Sequence, residues 1–135
     1  MSAEIAVEGI EIANAIADNH RQEAMALVSR FLKQTAGADQ KARTIQLCAL
    51  LAEQFRNLAA LQDFLARRVP ETKILEATGW KPGRLFVLKK IVVRFPPDKI
   101  WQTLNKLEAL DEELKTSSTP PRVLLDLILS QLFAA

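Results

Sequence analysis

The stretch from Asp39 to Arg67 constrains the fold most, because 29 residues pass without a Gly or a Pro to interrupt a helix. Two adjacent apolar stripes run along it at helical spacing. One stripe consists of Leu47, Leu51, Leu58, Leu61 and Leu65, and the other of Cys48, Ala52, Phe55 and Ala59. A helix with so wide an apolar face must be covered by other elements. We therefore predict a central helix, about 43 Å long at 1.5 Å per residue, on which the rest of the chain packs.

Apolar residues recur with helical spacing before this central helix as well. A first amphipathic pattern runs from Ile5 to Ala17 and breaks at Asp18-Asn19-His20. A second, stronger pattern covers residues 20–35, and Gly37 stands where a C-terminal cap would. The sequence thus predicts two helices ahead of the central one.

Proline and glycine divide the chain after the central helix. Pro70 is placed to begin a short helix that reaches Thr78, with Gly79 as its left-handed terminating residue. Pro82 then begins a helix that ends near Arg94.

Residues 85–94 leave a second interpretation open, because they are rich in β-branched side chains. A strand would suit that composition. The spacing of Leu85, Leu88 and Val92 favours a helix.

A candidate ion pair lies on the next predicted helix, which follows the break Phe95-Pro96-Pro97-Asp98. Its apolar stripe includes Leu107 and Leu114, and Asp111 falls on the same stripe. A half-buried carboxylate requires a partner, and Lys115 is four residues further along in the favourable orientation. We predict a structural pair between Asp111 and Lys115, with an ordinary solvated contact as the alternative.

The last predicted helix, with Thr119 as N-cap and Pro120 as its first residue, is apolar on nearly every side. One explanation is a helix inserted between two others. The other is that part of its surface meets another subunit, since exposed apolar patches mark interfaces. The candidate interface residues are Leu124, Leu125, Ile128, Leu129, Leu132 and Phe133.

Taken together, these patterns predict an all-α fold: a single compact bundle of six or seven helices over residues 1–135, with one long central helix. No apolar run reaches the 18 or so residues that a membrane span needs, and no signal peptide is present, so we expect a cytoplasmic protein without membrane contact. With one cysteine, Cys48, and one histidine, His20, the chain can form neither an intrachain disulfide nor a Cys/His metal site. Without a nucleophile elbow or phosphate loop, we expect no enzymatic activity, cofactor, metal or small-molecule substrate.

Charge is concentrated in the middle of the chain, where residues 41–100 carry 12 basic and 5 acidic side chains, although the whole chain has a net charge of only +2. Residues 74–94 also have the outline of a helix-turn-helix. A nucleic-acid-binding module is therefore an alternative, although the second helix of that unit is too apolar to read bases well. Its candidate phosphate contacts are Arg67, Arg68, Lys73, Lys81, Arg84, Lys89 and Lys90.

Four short motifs occur in a recognisable order. They are Leu50-Leu51-Ala52-x-x-Phe55-Arg56-x-Leu58, the segment from Ile74 to Pro82, Leu110-Asp111-x-x-Leu114-Lys115-Thr116, and Leu124-Leu125-Asp126-Leu127. In this order the chain resembles the C-terminal domain of the bacterial DNA polymerase III delta subunit, a clamp-loader protein. The family more often has Glu at the position of Asp126, and Gly-rich residues where this chain has Ser117-Ser118.

The resemblance implies a collar domain, a helical bundle that joins similar bundles of other clamp-loader subunits into a ring. It implies subunit assembly as the function, other clamp-loader subunits as partners, and DNA contact only as a secondary role. The parent complex belongs to DNA polymerase III. Nothing in the sequence resembles the ATPase-like modules of that family, so we expect either a fragment or a stand-alone relative.

Overall fold

The computed structural model describes residues 3–33 and 40–133, and within these ranges the chain forms seven helices and no strand. They are α1 (Ala3–Ala17), α2 (Arg21–Lys33), α3 (Gln40–Ala66), α4 (Glu71–Thr78), α5 (Pro82–Val92), α6 (Lys99–Thr116) and α7 (Pro121–Leu132). The predicted all-α bundle is confirmed. The predicted cap Gly37 lies outside the described residues.

Helix α3 is the centre of the bundle, as its length and its two stripes predict. Its 27 residues extend over about 40 Å. It packs against α1, α2, α5, α6 and α7, with α6 as its most extensive partner. Both predicted stripes are buried, except that Leu65 is only partly so. The rings of Phe55 and Phe95 pack edge-to-face, with centroids 5.5 Å apart, and Phe95 lies in the connection between α5 and α6.

Residues 82–92 form helix α5, so the strand interpretation of this segment is wrong. Leu85, Leu88 and Val92 are buried, at the helical spacing that the sequence favoured, and Ile91 is buried beside them. The β-branched Val87, Ile91 and Val92 do not prevent this, because packing against α3 and α1 outweighs their weak intrinsic preference.

The turns follow the glycine and proline positions closely, with two differences at helix starts. Gly79 adopts the left-handed conformation, with φ of 74°, and its N–H donates to the Leu75 carbonyl. Pro82 is the first residue of α5, as expected. Pro70, however, is the residue before α4 rather than its first residue.

The start of α7 also differs from the prediction, because the helix begins at Pro121 and Pro120 occupies the N-cap position. Thr119 does not cap the helix. Its backbone N–H and its side chain instead contact the Ser117 hydroxyl, at 3.0 Å each. Proline has no side-chain acceptor, so no side chain caps this end.

Polar contacts join the ends of helices that are distant in sequence. Arg94, beyond the end of α5, donates to Asp18 over 2.7 Å and also to the Asn14 side chain, which fixes α5 to the end of α1. At the other end of the chain, Lys99 donates to the Leu132 carbonyl and satisfies a terminal acceptor of α7. No helix in the described part of the chain is both long and apolar enough to span a bilayer.

Candidate interaction surfaces

Helix α7, the predicted subunit interface, turns most of its apolar residues toward the bundle itself. Leu124, Leu125, Leu129 and Leu132 are buried against the chain's own core. Ile128 and Phe133 are partly buried at its edge. Four of the six candidate interface residues are therefore not available to a partner in this conformation.

The exposed apolar residues of α7 are Val123 and Leu127, one turn apart on its outer side, and Leu127 is 53% exposed. Neither is among the predicted interface residues, although both lie in the apolar run that suggested an interface. Arg122 and Asp126 form a salt bridge beside them, at 3.0 Å. The outward surface of α7 is thus a small apolar strip with a neutralised charged border.

Helix α5 exposes more apolar surface than α7. Phe86 is 60% exposed, Val87 40%, and Val93, just past the end of the helix, 73%. We call these three residues the α5 face. The sequence contains a signal for this surface, because residues 82–93 are apolar in nearly every direction around the helix. Trp101 of α6 is also exposed, between α3 and α6.

Two shallow grooves flank Phe86. A groove of about 440 Å³ runs between α4 and α5 and includes Leu75 and Lys89. A groove of about 460 Å³ runs between α1 and α5 and includes Ile10 and Val87. Lys90 borders both grooves, and its ammonium group lies 4.3 Å from the centre of the Phe86 ring. Phe86 is therefore an apolar ridge between two concave strips.

Three of the predicted phosphate-contact residues already have carboxylate partners. Lys89 pairs with Glu71 at 2.5 Å, between α5 and α4. Arg67 pairs with Asp63 at 2.9 Å and Lys73 approaches Glu76 at 3.9 Å, each within or beside its own helix. These contacts reduce the positive charge that a phosphate would meet.

The other four predicted phosphate contacts differ in their surroundings. Arg68 and Lys81 are exposed, and no carboxylate pairs with either among the described residues. Arg84 is half-buried, and its Nε atom is buried without a hydrogen-bond partner in the described part of the chain. Lys90 faces the Phe86 ring. The seven cations thus do not form one continuous free patch.

The Asp111 and Lys115 side chains meet on α6, where Lys115 Nζ donates to Asp111 Oδ2 over 2.7 Å. This hydrogen bond, together with the charge of Asp111, raises the pKa of Lys115 above its ordinary value. The pair lies close enough to the buried Cys48 thiol to act on it electrostatically. Burial chiefly, and the Asp111 carboxylate secondarily, raise the pKa of Cys48 to about 12.

Cys48 is a core residue whose Sγ donates to the Leu107 carbonyl over 3.1 Å. Because the thiolate is the nucleophilic and metal-binding form, a thiol with so high a pKa is inert at neutral pH. His20 is exposed beside Glu23, with Nδ1 3.3 Å from its carboxylate. Nowhere in residues 3–33 and 40–133 do three or more His, Cys, Asp or Glu side chains converge as metal ligands would.

The described residues thus form an all-α bundle with apolar strips exposed on α5 and α7. Residues 9–132 match the family described as DNA polymerase III delta subunit, C-terminal domain. The chain belongs to this family, as its four sequence motifs indicate. That domain is a non-catalytic part of DNA polymerase III, which agrees with the expectation that the chain has no activity of its own.

A solved structure shows the same fold. The chain is similar to the Bacillus subtilis DNA clamp loader delta protein (YqeN), with a TM-score of 0.83 and 23% sequence identity. The similarity covers 96% of this chain but 36% of YqeN, so this chain spans about a third of that protein's length. Comparison with curated proteins finds no match.

Proposed function

We propose that this chain is a subunit-assembly module of a bacterial DNA polymerase III clamp loader, acting in the cytoplasm and supporting sliding-clamp loading in DNA replication. The observation that carries the proposal is the family match over residues 9–132. The exposed apolar side chains of α7 add a physical reason, because exposed apolar surface is what a partner subunit can cover. Its partners are the other clamp-loader subunits, and its contribution is a collar-type protein interface.

Helix α7 remains our candidate for this interface. Val123 and Leu127 supply exposed apolar area, and the half-buried Ile128 and Phe133 lie beside them in the same helix. Burying an exposed Leu in a partner contributes about 1.5–3 kcal/mol, so a few such residues at the centre of a larger contact are enough to anchor it.

The test is to mix the purified chain with the other subunits of a bacterial clamp loader and to follow association by analytical ultracentrifugation. We expect a complex at about 10 μM of each component. Leu127→Glu should abolish it, because a carboxylate would then be buried in an apolar contact. Trp101→Glu, at a residue of α6 that is as exposed as Leu127 and lies outside α5 and α7, is the matched control and should associate normally.

The assembly proposal fails if the unaltered chain does not associate at this concentration. Association that Leu127→Glu leaves intact would retain the assembly role but exclude α7 as its surface. A melting curve of each variant, recorded alone, separates a lost interface from a lost fold.

Nucleic-acid binding is the second candidate, favoured by the exposed Arg68 and Lys81, which have no carboxylate partners among the described residues. The outward side of α5, which would have to read bases, presents Phe86, Val87 and Val93 instead of polar groups. Any binding should therefore be insensitive to sequence and should weaken steeply with salt. Fluorescence anisotropy with duplex and single-stranded DNA at two salt concentrations tests this, with Arg68→Glu/Lys81→Glu as the variant.

A further inference from the structure

We propose that the α5 face binds an acidic amphipathic helix of another protein chain. The inference goes beyond the assembly role proposed for α7, and it rests on different residues. Its first support is exposure, since Phe86 and Val93 are 60% and 73% exposed. An exposed apolar surface with charged side chains at its border is typical of a binding site.

The shape of the α5 face suits a helix as the binding partner. Phe86 stands between the two grooves, one bounded on its far side by Leu75 of α4 and the other by Ile10 of α1. A partner helix presents side chains at i, i+3, i+4 and i+7 along one side, and these can enter the two grooves on either side of such a ridge.

The charge of the segment indicates what kind of helix it attracts. Between Glu76 and Asp98 the chain contains no acidic residue. The basic residues in the same interval are Lys81, Arg84, Lys89, Lys90 and Arg94. Two carboxylates, Glu71 and Glu11, also line the grooves, but they pair with Lys89 and Arg30, so the charge left over at the face is positive. A partner with Asp or Glu beside its apolar residues would complement this charge, and opposite charges at the border favour both orientation and rapid encounter.

Lys90 is the residue best placed to determine which partner binds. It borders both grooves and is exposed, and among the described residues no carboxylate lies within salt-bridge distance of it. Lys89 and Arg94, in contrast, already pair with Glu71 and Asp18. A carboxylate of the partner can therefore reach Lys90 without displacing an existing ion pair.

Three other occupants fit less well. A second copy of this chain, bound face to face, would place the same set of cations opposite itself. Nucleic acid would place polar base edges against Phe86, Val87 and Val93, whose side chains cannot form hydrogen bonds with them. An anionic membrane would meet the ridge, but a flat lipid surface would leave the two grooves unfilled.

The experiment is a fluorescence anisotropy titration of the full 135-residue chain. The probe is a labelled amphipathic peptide of about 18 residues, long enough to form a helix, with Leu along one side and Glu flanking it. A second peptide with Lys in place of every Glu is the matched probe. Phe86→Ala and Lys90→Glu test the surface. Leu127→Ala removes an apolar side chain of comparable exposure from α7 and is the matched control.

We expect the acidic peptide to bind with a Kd below about 100 μM and the basic peptide at least about tenfold more weakly. Phe86→Ala and Lys90→Glu should each weaken binding by roughly tenfold, whereas Leu127→Ala should change it by less than about twofold. If Phe86→Ala proves unfolded, Val93→Ser replaces it, because Val93 is still more exposed.

Several results would overturn the proposal: no binding of the acidic peptide, equal binding of the two peptides, or an equal loss in Leu127→Ala. Phe86-dependent binding of duplex DNA or of anionic vesicles, or a Phe86-dependent dimer in sedimentation, would assign the face to that occupant instead. Because the peptides contain no clamp-loader sequence, these outcomes do not depend on the assembly proposal for α7.

Discussion

On α6, Lys115 Nζ lies 2.7 Å from Asp111 Oδ2, and the two side chains differ in exposure, with Asp111 31% and Lys115 57% exposed. The carboxylate is thus the more buried partner, as its place on the apolar stripe suggested, and the ammonium group covers it from the solvent. Solvent screens such a pair strongly. The contact therefore favours the sequence alternative of a modest i, i+4 pair over a deeply buried one.

We first predict the effect of Asp111→Ala. The pKa of Lys115 is raised above 10.5 by its bond to Asp111, so the pair stabilises the fold fully below pH 10.5 and ceases to do so as the pH rises through the higher folded-state value. Removing Asp111 should return the pKa of Lys115 toward its ordinary value, which an NMR titration of the lysine side chain measures. The stability loss at neutral pH should be smaller than that of the core variant Leu107→Ala.

A double-mutant cycle of Asp111→Ala and Lys115→Ala measures how much of that effect belongs to the pair. Zero coupling would mean that Asp111 acts through a group other than Lys115. A loss as large as that of Leu107→Ala would show instead that Asp111 is effectively buried.

The Cys48 thiol gives a second prediction, for stability at high pH. In the unfolded chain it loses its proton near pH 9.0, whereas in the fold it keeps the proton up to about pH 12. Between these values the folded state binds more protons than the unfolded state, so raising the pH favours unfolding. The free energy of unfolding should fall by up to about 1.4 kcal/mol per pH unit from this group alone.

Urea denaturation of the unaltered chain and of Cys48→Ala, at pH 8 and at pH 10.5, isolates the contribution of the thiol. The lysines titrate in both proteins, so their effect cancels when the two are compared. The difference in stability between the two proteins should narrow at the higher pH. A constant difference would contradict the raised pKa. A thiol reagent should also modify Cys48 only as the protein unfolds.

The regular features of the fold could be predicted because they depend on local rules. The Asp39–Arg67 stretch lacks helix breakers and carries two stripes, and only a wide buried face accounts for both. The end of α4 followed from Gly79, since few other residues adopt its conformation. The start of α7 could not be predicted in the same way, because Pro120 and Pro121 each suit the first turn of a helix and the sequence does not choose between them.

The exposed surfaces could not be predicted in this way. Helices α5 and α7 are both apolar in most directions, so periodicity alone does not reveal which side faces the core. In the fold, α5 packs on α3 and α1, and this leaves Phe86 outside. Packing of α7 on α6 and α3 buries Leu125 and Leu129 and leaves Leu127 outside. Tertiary packing, rather than local pattern, decides where a partner can bind.

Two glycines provide a third, paired prediction. Gly79 has φ of 74°, and an added Cβ would meet no other atom, so Gly79→Ala should cost about 1–2 kcal/mol through backbone strain alone. Gly83 lies inside the first turn of α5, where an added Cβ also meets nothing. Gly83→Ala should therefore stabilise the protein by about 0.5–1 kcal/mol. Thermal unfolding of both variants measures the two changes in stability. If both variants were stabilised, or both destabilised, the predicted contrast between the left-handed Gly79 and the helical Gly83 would be wrong.

The last prediction compares two phenylalanines, one in the core and one on the surface. Phe55 is fully buried and packs edge-to-face with Phe95, so Phe55→Ala should lower the free energy of unfolding by about 3–5 kcal/mol. Phe86 is mostly exposed and its clearest contact is with the Lys90 ammonium group, so Phe86→Ala should cost no more than about 0.5–1 kcal/mol. Urea denaturation measures both changes in the free energy of unfolding, provided that the m-value is the same in each variant. A cost above about 2 kcal/mol for Phe86→Ala would place this ring in the core, since surface substitutions rarely exceed a fraction of that. The α5 face would then lack the exposed Phe86 ring that the proposed partner helix contacts, whatever the peptide titration showed.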